Sequence, residues 1–210
     1  KFFFNSNLYY MGYKNQLVLT GALDDVGSPI RENSGKSYRT GIELESVYKA
    51  TNKLNISANI SFSENKNIDY KTNYNGVIKD WGDTDISFSP NVISSAGIQF
   101  SASEDLTFTL LNKFVGNQYM SNTESNISKL SSYSTADLNI LYTIKNSAYF
   151  SEIIFTAMIN NIFNKEYVSN GYYYTYDDTW SDPNLITTIE GTGYYPQAKR
   201  NFLLGLTFKL

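Results

Sequence analysis

The chain has 210 residues, with 17 Lys and Arg set against 20 Asp and Glu, a formal net charge of −3 that offers none of the basic surface nucleic acid demands. It contains neither cysteine nor histidine, which excludes disulfides, thiolate or imidazole metal sites and any histidine-based triad. Aromatic residues make up 16% of the chain while mean hydropathy is only −0.34, so apolar side chains are interleaved with polar ones, and no stretch approaches the roughly 18 apolar residues of a membrane helix.

Period-two alternation is the dominant pattern and predicts eight strand regions, near 2–26, 37–50, 54–66, 86–101, 106–119, 132–144, 150–176 and 198–210. The first, opening on KFFFNSNLYY, is so rich in aromatics that its phase is hidden, and it reads as starting partway through a larger structure. In the third, Leu54, Ile56, Ala58, Ile60 and Phe62 share one face, with Asn55, Ser57, Asn59 and Ser61 on the other. The fourth sets Val92, Ala96, Ile98 and Phe100 against Asn91, Ser95, Gln99 and Ser101. In the fifth, Leu106, Phe108 and Leu110 alternate with Thr107 and Thr109, and the same phase carries Asn112 onto the apolar face, which implies a bulge or an interfacial position. The sixth places Ala136, Leu138, Ile140, Tyr142 and Ile144 together, and the last does so for Phe202, Leu204, Leu206, Phe208 and Leu210.

Connections alternate between short (50–53, 102–105, 145–149) and long (27–36, 67–85, 120–131, 177–197), and all four prolines fall in or beside the long ones. Long strands, alternating loop lengths and apolar faces ending in Tyr48, Phe62, Phe100, Tyr142 and Phe208 predict an all-β fold, a transmembrane antiparallel β-barrel with aromatic girdles. A soluble β-sandwich also alternates, but shorter strands and more uniform loops are expected of it.

The segment NNIFNKEYVSNGYYY, followed by YYPQAKRNFLLGLTFKL, resembles the C-terminal end of TonB-dependent outer-membrane receptors. The block from Asn7 to Glu45, NLYYMGYKNQLVLTGALDDVGSPIRENSGKSYRTGIELE, is similar to the Bacteroidetes-like branch of that family. The resemblance spans residues 1–210 as one incomplete domain. It implies the last eight strands of a 22-stranded barrel, whose other strands, plug domain and energy-coupling box lie outside this chain. It also implies that 150–176 is one rising strand. Asn160–Asn164 would then be a bulge whose amides satisfy unpaired backbone groups, with the same two neighbours pairing on either side of it.

Enzymatic signals are weak. Arg39, Glu43, Glu45, Lys49 and Asp137 fall on polar faces and are expected in a salt-bridged lumenal wall. Asp177, Asp178 and Asp182 match no cation-loop spacing and read as a solvated acidic loop. The substrate-contact candidates are the aromatics of the long-loop end: Trp81, Tyr119, Tyr172, Tyr173, Tyr174, Tyr176, Trp180, Tyr194 and Tyr195, side chains that give large contact area with a polar tip. The alternative for several of them is a girdle against lipid.

By the resemblance, the chain is part of a non-enzymatic outer-membrane importer without a resident cofactor. Its partners are outer-membrane lipid and lipopolysaccharide, the plug and remaining strands, a TonB-type energy-coupling protein and an accessory surface lipoprotein. The tail Lys199-Arg200-Asn201-Phe202 departs from the ending usual in the glycan branch, which favours ferric siderophore, haem or cobalamin over glycan or peptide. A passive channel, an eight-stranded structural barrel and a soluble carbohydrate-binding sandwich are the other readings.

Overall fold

The computed structural model describes residues 1–24, 26–74, 77–145, 149–178, 180–182 and 185–210. Eight antiparallel strands form the wall, in the order β1 (Phe2–Lys14), β4 (Lys36–Lys49), β5 (Leu54–Tyr74), β7 (Val92–Ser101), β8 (Leu106–Val115), β11 (Tyr133–Lys145), β12 (Glu152–Asn160) and β15 (Asn201–Lys209). The intervening segments supply β2 (Leu17–Leu23), β3 (Pro29–Asn33), β6 (Val77–Asp85), β9 (Gln118–Tyr119), β10 (Lys129–Leu130), β13 (Val168–Asp178) and β14 (Thr187–Pro196).

The register gathers most apolar positions of the wall on one face, most cleanly in β5, while Phe3, Val47, Ile93, Leu111, Ile154, Met158 and Leu203 stand on the other. One cross-strand row runs Phe2, Tyr48, Ile56, Ile98, Leu110, Leu138, Ile159, Phe202 without interruption. It begins at the short-turn end of β1 and finishes at the long-loop end of β15, so the strands are tilted as closure of a barrel requires. Many of these side chains stand open, with Leu8 78% and Leu204 81% exposed. Apolar surface on that scale needs a non-aqueous cover. Aromatic pairs gather near the strand ends: Phe2 with Tyr48, Tyr142 with Phe155 and Phe150 with Phe208 at the short-turn end, Tyr10 with Tyr38 at the other.

At Asn112 the structure excludes a bulge. Its strand pairs without a register shift, facing Ala96 and Ala136, and its amide donates to Ser134 Oγ at 3.0 Å and to the Thr135 carbonyl at 2.9 Å. Two short turns are closed by hydroxyls from within, Thr51 accepting from Lys53 N and Ser103 from Leu106 N. The third short turn (146–148) and Pro183 lie outside the described residues.

Three expectations need correction. The region 2–26 is two strands, because Asn15 adopts φ 57° and β2 leaves the wall to pair with β3. The long connections are largely hairpins: β5 runs on past the wall to pair with β6, and β13 pairs with β14. Last, 150–176 is not one strand with constant neighbours. β12 pairs with β11 and β15, whereas β13 pairs with β14 and, in parallel through Thr175 and Ala22, with β2. The ladder stops because Asn161 and Asn164 take φ 51° and 54°, the left-handed region that asparagine tolerates and an extended strand does not.

The amides at that stop do satisfy backbone groups. Asn161, 4% exposed, donates to the carbonyls of Lys165 (2.8 Å) and Ala198 (3.2 Å) and accepts from Lys165 N (2.9 Å). Asn164 Oδ1 accepts from Arg200 N at 3.1 Å. The joint therefore ties the top of β12 to the approach to β15 while β13 departs. Glu166 and Lys199 form an ion pair across the same joint, which holds the Glu166 carboxyl below its usual range.

Candidate functional site at the mouth hairpins

The buried side chains of the described residues concentrate above the wall. Tyr70, Ile86, Met120 and Leu130 are buried there with Asn67, Thr84, Asn122 and Ser128. This cluster is built from the segments between wall strands. Asn122, on the β9–β10 connection, links them: its Oδ1 accepts from Asn67 Nδ2 (3.3 Å) and Ser87 N (2.9 Å), and its Nδ2 donates to the Leu19 carbonyl of β2 (3.2 Å). Lys66 bridges Asp85 at 2.7 Å and Glu124 at 3.6 Å, fastening the same connection to the β5–β6 arm.

The β2–β3 and β13–β14 hairpins lie side by side as a four-stranded sheet, β14-β13-β2-β3. They spring from opposite ends of the eight-strand arc, so their meeting carries the sheet across the mouth. On β13 the alternation sorts the tyrosines. Tyr172, Tyr174 and Tyr176 share a face, with successive ring centroids 6.1 and 6.4 Å apart and planes within 26° of one another. Tyr195 of β14 adjoins Tyr172 at 6.0 Å. Gly193 and Gly191 stand directly opposite Tyr172 and Tyr174 in the register. A Cβ at either glycine would meet the facing tyrosine ring, which shows the rings folded flat over β14. The result is a tiled aromatic surface with Tyr172, Tyr176 and Tyr195 about half exposed.

Tyr173 points the other way. Its hydroxyl donates to Glu190 Oε1 at 2.6 Å, and Ser125 Oγ donates to Glu190 Oε2 at 3.0 Å. Burial first, and the Glu190 carboxylate second, push the Tyr173 phenol well above its usual range, so it stays a neutral donor. Its ring packs against Gly21, which holds φ 91° and has no room for a Cβ. Tyr194 donates to the Ile127 carbonyl at 3.1 Å. Between the hairpins opens a cavity of about 400 Å³ lined by Leu19, Leu23, Phe88, Met120, Tyr172 and Tyr174.

Of the aromatic candidates, Tyr172, Tyr173, Tyr174, Tyr176, Tyr194 and Tyr195 are thus brought together on one hairpin. Trp180 sits at its tip, 89% exposed, where Asp178 accepts from Trp180 N and Ser181 N. Trp81 lies on the β5–β6 arm, its indole bonded to Thr72 and covered by Lys79 at 3.8 Å. Tyr119, in β9, has Lys129 over its ring at 5.7 Å.

The expected salt-bridged wall is corrected. Among the described residues no ion pair involves Arg39, Glu43, Glu45 or Lys49. The register explains this: Glu43 faces Asn7 and Ser61, Glu45 faces Asn5 and Asn59, Lys49 faces Asn55, and Arg39 faces Met11 and Asn65. Amides and hydroxyls take the charges instead, with Asn7 donating to Glu43 and Arg39 donating to Asn65 and Ser89. Asp137 accepts from Asn161 N at 2.7 Å and so caps the joint. Asp177 accepts from Thr188, and no cluster among the described residues has the makings of a metal site.

Sequence reasoning missed Asn122, Glu190, Ser125 and Met120. The available signal was a run, MSNTESNISKLSS, rich in side chains that bond to backbone, which marks a connection folded on itself rather than a solvated loop.

The family model described as "TonB dependent receptor-like, beta-barrel" matches residues 1–162. No curated protein matches. Solved structures similar in fold include the siderophore receptor PiuA from Acinetobacter baumannii (18% identity, TM-score 0.69, 99% of this chain and 26% of that one). The copper transporter OprC (16%, TM-score 0.67, 100% and 29%) and the ferric yersiniabactin uptake receptor FyuA from Yersinia pestis (15%, TM-score 0.65, 98% and 27%) are also similar. The chain spans about a quarter of the length of these structures.

Proposed function

The chain belongs to the TonB-dependent receptor-like β-barrel family, and from that premise we propose that it provides eight wall strands and the mouth hairpins of an outer-membrane importer. The carrying observation is the contrast between the faces of the wall: an exposed, continuous apolar row on one side, an opposite side richer in Asn, Ser, Thr and charged residues, most clearly in β4 and β5, and arms folded together above them. The apolar face lies against lipid and lipopolysaccharide, and the polar face lines a lumen filled by a plug domain. The aromatic sheet meets the substrate first, with Trp81 and Tyr119 at the rim and Arg39, Glu43, Glu45, Lys49 and Asp137 in the lumenal wall. Release into the periplasm is driven by a TonB-type partner pulling on the plug, and the chain catalyses no reaction. Ferric siderophores, haem and cobalamin are the substrates favoured.

The test is uptake of labelled ferric chelate, haem and cobalamin by cells carrying the full-length receptor, with and without a functional TonB-type protein. Accumulation that needs both supports the reading. Accumulation indifferent to the energy-coupling protein points to a passive channel. Equal gel migration of heated and unheated receptor in detergent would speak against a barrel altogether.

A further inference from the structure

The two hairpins that form the mouth sheet carry an unusual charge. Residues 168–196 hold Asp177, Asp178, Asp182 and Glu190 with no Lys or Arg, and residues 16–35 hold Asp24, Asp25 and Glu32 against Arg31. That is a net −6 on these two segments, compared with −3 for the entire chain. Asp24 accepts from backbone N–H groups, Asp177 from Thr188, Asp178 from Trp180 N and Ser181, and Glu190 from Tyr173 and Ser125. All of these donors are neutral, so the hydrogen bonds fix the carboxylates without cancelling their charge. The ion pairs of the described residues lie elsewhere, on the wall, the β5–β6 arm, its link to Glu124 of the β9–β10 connection, and the Asn161 joint.

On the same sheet lie the tiled rings of Tyr172, Tyr174 and Tyr176, and beside them the cavity of about 400 Å³. A flat aromatic surface takes a ring or a cation over its face, and a negative field raises the local concentration of positive solutes while repelling anions.

We propose that the tyrosine surface and its cavity receive a ring-bearing ligand of net positive charge, and that this mouth selects against anionic chelates. The proposal rests on the reading of these hairpins as the substrate-facing mouth of an importer. Within that reading it narrows the substrate class by charge: a cationic complex or an ammonium-bearing organic solute meets both features, whereas a polyanionic ferric chelate meets an opposing field.

Three probes sharing one naphthyl body, ending in an ammonium, a carboxamide or a carboxylate, test this on the full-length receptor in nanodiscs. The ammonium probe is expected to bind at least roughly tenfold tighter than the carboxylate at low salt, and to lose most of that margin at about 0.5 M salt, where the screening length falls to a few ångströms. Asp177→Asn with Asp182→Asn, which keeps the Thr188 contact available, is expected to shrink the margin several-fold. Tyr174→Ala is expected to weaken the ammonium probe a few-fold at any salt concentration. A carboxylate probe that binds as well as the ammonium overturns the proposal, as does a ranking untouched by the double variant. Energy-dependent import of a polyanionic chelate through the same receptor overturns it while leaving the importer reading intact. Absence of energy-dependent import with the charge ranking preserved does the opposite.

Discussion

Replacing Asn161 by alanine removes the side chain that ends the wall ladder and turns the chain into the mouth arm. Three backbone groups lose a partner: the carbonyls of Lys165 and Ala198 and the N–H of Lys165. A buried polar group left unsatisfied costs about 1–3 kcal/mol, and water can reach the Lys165 side of the joint, so a loss of about 3 kcal/mol is expected. Alanine at φ 51° adds about 1 kcal/mol of backbone strain, which Asn161→Gly avoids. The loss is local, because β12 keeps both neighbours through Ile159. Hydrogen exchange on the full-length receptor reads it directly. Amides of β13 and β14 are expected to exchange roughly a hundredfold faster or more in Asn161→Ala, by the rule of about 1.4 kcal/mol per factor of ten, with those of β12 nearly unchanged. Asn161→Gly is expected to fall slightly short of alanine. A change below about threefold, or equal loosening of β12 and β13, refutes the joint as described.

In the wall, a Cβ at Gly41 would collide with the Phe62 carbonyl oxygen, whereas one at Gly205 would meet nothing nearer than 3.6 Å. Gly41→Ala is expected to cut the yield of folded, heat-modifiable receptor sharply, and Gly205→Ala to leave it within experimental error. Asn122→Ala deprives the Leu19 carbonyl, Ser87 N and Asn67 of a shared partner and is expected to cost about 2–4 kcal/mol, read as faster exchange in β2 and 86–89 together. At the tip of the β13–β14 hairpin, the Ser181 hydroxyl and the backbone N–H groups of Trp180 and Ser181 hold the Asp178 carboxyl below its usual range. A carboxyl depressed in the folded state contributes order that is complete above its unfolded pKa and is lost as pH falls through the folded value. The fluorescence contributed by Trp180, taken as the difference between the full-length receptor and its Trp180→Phe variant, is therefore expected to stay flat from neutral pH through the ordinary aspartate range and change only in stronger acid. A transition at pH 5 or above would refute the assignment.

The wall was legible because most of its strands, β5 above all, set a largely apolar face against a more polar one, and that contrast survives in the bare sequence. Leu54–Phe62 and Asn201–Lys209 sit on the faces their alternation assigns. The arms were not legible in the same way. In β6, β13 and β14 both faces carry polar or aromatic groups, so no period of two separates them from loop. Their pairing is specified by particular contacts, such as Tyr172 over Gly193 and Tyr174 over Gly191, that no single segment displays. At Asn160–Asn164 the local signal was turn chemistry, and giving precedence to strand continuity produced the wrong neighbours for β13. The expected salt bridges among Arg39, Glu43, Glu45 and Lys49 failed for a further reason: which residue faces Glu43 depends on register between strands, and register is invisible in one strand alone.

The joint at Asn161 separates two kinds of change that a β-structure normally couples. In a continuous ladder, an insertion of one residue turns every later side chain to the opposite face, and in this wall that would put asparagines into the apolar surround. Here the path up from Asn160 to Val168 and the path down from Pro196 to Asn201 differ in length and are tied by side-chain amides instead of a shared register. An arm can thus gain, lose or shift residues and have the discrepancy absorbed below it. The surface of the arms is free to drift in sequence while the wall keeps its phase.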